Sequence, residues 1–295
     1  MSNVASFDEF ETDQEIDAHS RGLPRIILEG GTDVWLFRDI WFPNYLSKFE
    51  FIPASHLADG DGCTAVPAAV EKSWEKQIPA FGILDRDVYF RRKIWDALYE
   101  REEARFRAFE ANDNLFVSEL WEIEAHLILP EILEPWVIGC SRDPVRFGHL
   151  AAEALQRALA QCDILFEAAP YLAAMHADGK AATGSFGDLT LEQVREICAN
   201  DLIKLSDAAQ EQAERVTNFV TLVKEAAPDE EGARLRYFLK FIDTKRLLSR
   251  LRKALRLHSN PDNHQMLAGF MRQTAQEPQE FARHLAHLVE RVGVG

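Results

Sequence analysis

The chain is poor in the features that mark several common chemistries. It has four cysteines, Cys63, Cys140, Cys162 and Cys198. They form no Cys-x-x-Cys pair and have no histidine-rich partner sequence, so a zinc site is not expected and reduced, mostly buried thiols are. The nine histidines show no metal-ligand spacing, and His126 reads as a packed helix residue. Eighteen apolar residues never run together, and no basic region followed by an apolar stretch opens the chain, so no membrane span, no signal peptide and a cytoplasmic location are expected. A Gly-x-x-x-x-Gly-Lys-Ser/Thr phosphate loop is missing, because Gly179-Lys180 has neither the hydroxyl residue beside it nor a strand before it. ATP hydrolysis by this chain is therefore not expected. There is no Gly-x-Ser-x-Gly elbow, internal repeat or low-complexity tract.

What is present is an ordinary globular composition with an uneven charge. The 295 residues are 47% hydrophobic, enough for one large domain or two medium ones. The net charge of −15 argues at first against a nucleic-acid partner. The distribution argues the other way: residues 234–256 hold nine Lys or Arg against one acid, Asp243. Phe7 to Asp17 carries six acids and no base, and reads as a mobile or partner-binding arm.

From Pro24 to about Pro130, short β-branched or aromatic runs alternate with amphipathic ones. Strands are predicted at 25–29, 49–52, 80–85 and 114–118, with helices over Thr32 to Trp41, Val66 to Gln77 and Arg91 to Glu110, and another starting near Glu119. Strands separated by helix-length segments imply parallel pairing. Beyond about residue 145 the strand signal ends. Leu155, Leu159, Cys162 and Phe166 recur at helical spacing, Thr190-Leu191-Glu192-Gln193 has the form of a capping box, and Pro278 opens a final helix bearing Phe281, Leu285 and Leu288. Turns are read at 59–62 and, within the helical part, over Asp178 to Asp188. The expected fold class is α/β, a mostly parallel sheet flanked by helices, followed by a largely α-helical C-terminal region. The expected division is an acidic arm at 1–23, a catalytic domain at 24–144 and a helical region at 145–295.

Two acidic motifs stand where predicted strands end. Glu29-Gly30-Gly31-Thr32-Asp33 follows Arg25-Ile26-Ile27-Leu28, and Asp85-Arg86-Asp87 follows Phe81-Gly82-Ile83-Leu84. Ligands bind at the carboxyl edge of open α/β sheets. Several carboxylates gathered there need a cation to offset their repulsion, and hard oxygen donors suit Mg²⁺ or Mn²⁺. The simplest chemistry for such a site is metal-assisted phosphoryl transfer.

Glu-Gly-x-x-Asp after a first strand and Asp-x-Asp after a later one resemble the TOPRIM fold, the metal-dependent domain of topoisomerases, primases and overcoming-lysogenization-defect (OLD) nucleases. Phe81-Gly82-Ile83-Leu84-Asp85-Arg86-Asp87 and Leu120-Trp121-Glu122-Ile123-Glu124-Ala125-His126 are most similar to the stand-alone TOPRIM effectors of anti-phage loci, the AriB family of the PARIS system. The resemblance covers about residues 24 to 130. It implies Glu29 as metal ligand or general acid/base, Asp33, Asp85, Asp87 and Glu124 as further metal ligands, and Mg²⁺ or Mn²⁺ as cofactor. Glu122 is the alternative to Glu124. Alternation along an extended segment would put Asp85 and Asp87 on one face with Arg86 pointing elsewhere. Related proteins carry a catalytic lysine in a Gly-Lys pair. Here Asp243-Thr244-Lys245 departs from that, which leaves Lys245 as a candidate.

The resemblance further implies a toxic endonuclease of an abortive-infection system that cuts host RNA such as tRNA, RNA being favoured over DNA. A partner ATPase of the AriA type would hold it inactive, and a homodimer is a possible active state. The alternatives are DNA cleavage of the OLD type and a non-catalytic binding subunit. Residues 244–257 read as a helix with Leu247, Leu248, Leu251 and Leu255 as an apolar stripe, flanked by Arg246, Arg250 and Lys253 on one side and Lys245, Arg252 and Arg256 on the other. Arg246, Arg250, Arg252, Lys253 and Arg256 are the candidate phosphate contacts, with Tyr237, Phe238 and Phe241 as candidate stacking surfaces.

Overall fold

The computed structural model describes residues 22–60, 62–109, 112–181, 186–258, 263–274 and 276–293. Residues 1–21 of the acidic arm, Asp61 of the 59–62 turn and residues 182–185 of the 178–188 loop lie outside them. Four strands are present: β1 (Arg25–Leu28), β2 (Glu50–Pro53), β3 (Ala80–Leu84) and β4 (Leu115–Val117). The helices are α1 (Gly31–Trp35), continued by a π-helical turn at Leu36–Trp41, then α2 (Ala65–Glu75), α3 (Asp87–Arg91), α4 (Trp95–Leu98), α5 (Glu103–Arg107) and α6 (Pro130–Cys140). After these come α7 (Pro144–Phe147), α8 (Ala154–Ala177), α9 (Leu191–Leu202), α10 (Asp207–Glu225), α11 (Glu231–Phe238), α12 (Thr244–Ala254), α13 (Asn263–Gln273) and α14 (Gln279–Val292). None of the described helices is long and apolar enough to cross a membrane.

The chain is α/β with a parallel sheet and a helical C-terminal region, as its alternation predicts. It forms two compact units, and these are not sequential. The first takes the chain up to Asp85, Arg107–Ser118 and the part from Arg272 onward; the second takes Arg86–Phe106 and Glu119–Met271. The division crosses the chain at 85/86, 106/107, 118/119 and 271/272, not at 144/145.

The first unit is built on the sheet, whose order is β2-β1-β3-β4 with every pair parallel. Ile26, Ile27 and Leu28 are fully buried, as suits a central strand covered on both faces. At Gly82 a Cβ would come within 2.6 Å of Val66 on α2 and 2.7 Å of Leu115 on β4, so glycine is what lets α2 lie close on the strand. Helix α14 belongs here: its Phe281 packs against Phe37, Trp41 and Phe116. Glu280 beside it accepts hydrogen bonds from Arg107 and Ser118, a buried polar junction with both oxygens used.

The second unit is organised around α8, against which α6, α9, α10, α11 and α12 pack. Thr190 caps α9 as read: its hydroxyl accepts from Gln193 N and the Gln193 side chain accepts from Thr190 N. The single helix expected over Arg91 to Glu110 is not formed; α3, α4 and α5 stand in its place. Lys93 takes φ +60, which ends a right-handed helix. The carbonyls of Ala97, Leu98 and Glu100 turn to the Arg86 guanidinium and not to a continuing helix. A helix starting near Glu119 is also corrected: Trp121 N bonds to Leu239 O, a 3₁₀ turn follows at Ile123–Leu127, and Pro130 starts α6 in its first turn.

Candidate active site

In the sheet unit the strand order reverses direction between β1 and β3, since β2 lies on one side of β1 and β3 and β4 on the other. That is the topological switch point, and the crevice outside the carboxyl ends of those two strands is the standard ligand position of open α/β sheets. Glu29 directly follows β1 and Asp85 directly follows β3. Asp85 N–H donates to Glu29 Oε1 at 3.0 Å, which ties the two strand ends together and orients the glutamate. Asp33, at the third position of α1, accepts from Gly30 N–H at 3.0 Å, so it closes the turn that leads out of β1. A Cβ at Gly62, whose φ is +66, would come 3.4 Å from Glu29 Oε2. Cys63 Sγ lies within 4.8 Å of a Glu29 carboxylate oxygen. Cys63, expected only as a buried thiol, stands directly after Gly62, and that glycine-rich turn is its signal in the sequence. At the opposite edge of the sheet, Glu50 is bonded to Arg25 at 2.7 Å, a buried ion pair across β1 and β2.

Glu29 and Asp33 each accept a backbone N–H that orients them, while the Cys63 thiol beside Glu29 is a soft donor and not a hard-cation ligand. Carboxylates oriented in this way are the kind of ligand that Mg²⁺ or Mn²⁺ takes.

The second unit holds the remaining acids. Asp87 is the first residue of α3, and Arg86 before it has φ −62 and ψ −22, so Asp85-Arg86-Asp87 turns into a helix. This corrects the alternation argument for Asp87. Arg86 instead points into its own unit, 1% exposed, where it donates to four backbone carbonyls, those of Ala97, Leu98, Glu100 and Glu119. It also lies over the rings of Phe106 and Phe241, at 4.2 and 4.9 Å. Asp87 Oδ2 accepts from Arg91, while Oδ1 is buried with no hydrogen-bond partner. Burial pushes the Asp87 carboxyl above the usual carboxylate range, and Arg91 opposes the shift.

No family model, curated protein or solved structure matches the chain. The geometry must carry the reading by itself.

Glu122, and not Glu124, is bound to Lys245. Its Oε1 is 2.8 Å from Lys245 Nζ and its Oε2 accepts from Lys245 N–H at 3.0 Å. The N-terminus of α12 is thus held by two carboxylates, since Asp243 accepts from Arg246 N–H at 2.9 Å. Burial pushes the Glu122 carboxyl up to about 7 despite the attraction of Lys245. Glu124 is buried in the 3₁₀ turn, and its Oε2 has no hydrogen-bond partner. A cavity of about 350 Å³ opens among Asp87, Glu122, Asp243, Arg91, Lys180 and Arg246, with Phe90, Tyr99, Trp121 and Phe241 as apolar wall.

The basic segment is helical as expected, and Leu247, Leu248, Leu251 and Leu255 are all buried. The expectation for Arg250 is corrected. It is 3% exposed and donates to Gln161 Oε1, Gly187 O and Leu189 O, which fastens α12 to the segment before α9. Arg246 is folded back on Asp243. Lys253 lies 3.9 Å from Asp188, and Arg252 is half-buried. Arg256 is exposed. Phe238 and Phe241 are core residues, which removes them as stacking surfaces, and Tyr237 is half-buried.

Proposed function

We propose that the chain is a Mg²⁺- or Mn²⁺-dependent endonuclease of the TOPRIM type, acting on RNA in preference to DNA. The observation that carries this reading is the position of Glu29 and Asp85 at the ends of the two strands that flank the switch point, joined by the Asp85 N–H. A bound divalent cation would supply Lewis-acid stabilisation of a phosphoryl oxygen and a more acidic attacking water. Glu29 and Asp85 would hold it, with Asp33 fixing the turn between β1 and α1. The resemblance adds Asp87, two residues after Asp85, as a further candidate ligand. Lys245 is the candidate for offsetting charge on the phosphate, and Glu122 acts as the positioning residue that holds it.

The resemblance extends the proposal to biology: a toxic effector of an anti-phage system, restrained by a partner ATPase and released to cut host RNA such as tRNA. The chain carries no ATP-hydrolysing motif of its own, which agrees with a separate protein supplying that step.

The test is cleavage of a mixed panel of tRNA, other RNA and DNA with Mg²⁺ or Mn²⁺ by the wild type, Glu29→Ala and Asp85→Ala, with thermal melts alongside. Both variants should melt close to the wild type and lose cleavage by a factor of about 10³ or more, as removal of a group acting on the transition state does. Full activity in both would eliminate the site. A wild type inactive on every substrate would favour a binding subunit.

A further inference from the structure

A second space in the helical unit has a different character. It measures about 650 Å³, and its charged lining is Arg146, Arg157, Arg250, Lys253 and Arg256 against the single acid Asp188. In a chain of net charge −15, such a cleft does not arise from average composition. The five cations come from α7, α8, α12 and the turn after α12, so they surround the space and do not merely run along one helix.

Their commitments differ. Arg250 is the buried floor, held by carbonyls. Arg157 is paired with Glu153, which is itself about half exposed, and Lys253 is at the outer limit of a contact with Asp188. Arg146 and Arg256 are exposed and have no carboxylate partner among the described residues. Arg256 sits at φ +55 directly after Leu255, the C-cap of α12, a place where glycine is usual. An L-residue held there carries a local cost, and what that conformation brings to the cleft is a cation.

We propose that this cleft binds successive phosphates of a nucleic-acid strand. One phosphate needs two or three cations at one point, whereas these are spread around a volume in the range of whole-ligand sites. Long cationic side chains partly free of carboxylates are what counterion release requires. The choice of a nucleic acid over another polyanion rests on the phosphodiesterase reading above, but the cleft lies wholly in the helical unit and shares no lining residue with the cavity beside Glu122.

The experiment is fluorescence anisotropy of a short labelled single-stranded RNA with the full chain in EDTA, so that no cleavage occurs, across a salt series. Arg146→Glu/Arg256→Glu should bind at least tenfold more weakly at low salt. The slope of log affinity against log salt should fall by roughly 1.4, for two lost single-strand contacts. Arg146→Gln/Arg256→Gln should lie between it and the wild type, and decides the matter if the reversal variant fails to fold. Unchanged affinity and slope in the glutamine variant would overturn the proposal. Complete displacement of the RNA by equimolar inorganic triphosphate would do so in favour of a free nucleotide. Displacement by an equally charged acidic peptide would do so in favour of a protein partner. Because the readout is metal-free binding, a cleft that binds RNA in a protein that cleaves nothing would sink only the endonuclease reading.

Discussion

Helix α12 serves two cavities of opposite character. Its first turn contributes Arg246 to a space where Arg91, Lys180 and Arg246 face Asp87, Glu122 and Asp243, so that the charges balance. Its last turns contribute Arg250 and Lys253 to a space where five cations face one acid. The helix is basic along its whole length; what differs is the chain around it. Two carboxylates are needed at its N-terminus to satisfy backbone N–H groups, and those acids neutralise the first cavity. At the C-terminal end no such demand exists, and the positive charge stays available. Arginine content alone therefore does not locate a phosphate site. The capping pattern does.

The strongest way to break this comparison is at Arg250. Arg250→Ala leaves Gln161 Oε1 and the carbonyls of Gly187 and Leu189, all part-buried at the cleft wall, without their donor. Unsatisfied acceptors cost about 1–3 kcal/mol each where water cannot reach them and less at a cleft wall, so a total loss of roughly 2–3 kcal/mol in denaturant unfolding is expected. Arg256→Ala, at an exposed position, should by contrast cost little stability. Equal losses in the two variants would remove the distinction between floor and rim.

The balanced cavity can be sharpened by pH. Burial raises the Glu122 carboxyl to about 7 in the folded protein from 4.5. Between those values the folded state binds a proton that the unfolded state has released. Stability from this group is therefore full below about 4.5 and falls as pH rises toward 7, by about 3 kcal/mol at most. Glu122→Gln should flatten that part of the stability–pH curve. If the slope between pH 4.5 and 7 is the same in both proteins, Glu122 is not the group responsible.

Much of the framework could be read from the residues alone. The strands that lead to Glu29 and Asp85 are β-branched or aromatic runs whose ends are marked by Gly30-Gly31 and by charge, and observed strand limits differ from the predicted ones by at most one residue at either end. Other features depend on distant partners. Arg86 ends a helix by collecting carbonyls from residues up to 33 positions away, which no local pattern encodes. The amphipathic pattern of α12 gives two basic flanks but cannot say that one of them meets Gly187 and Leu189. Glu122 and Glu124 would share a helix face only poorly at a spacing of two, and the 3₁₀ turn that separates their roles was read as an α-helix. Helix α14 carries a helical signal in its own sequence, while its place with the sheet depends on Phe281 finding Phe37, Trp41 and Phe116.

The central claim is that Glu29 and Asp85 hold a divalent cation at the switch point of the sheet, and thermal melting with and without Mn²⁺ tests it most directly. A cation bound only by the native state stabilises it by about 2.7 kcal/mol at one hundred times its dissociation constant. The wild type should therefore melt at a higher temperature as Mn²⁺ is raised, and Asp85→Asn, compared with its own metal-free baseline, should not. A rise of the same size in both proteins, or none in the wild type, would contradict the account.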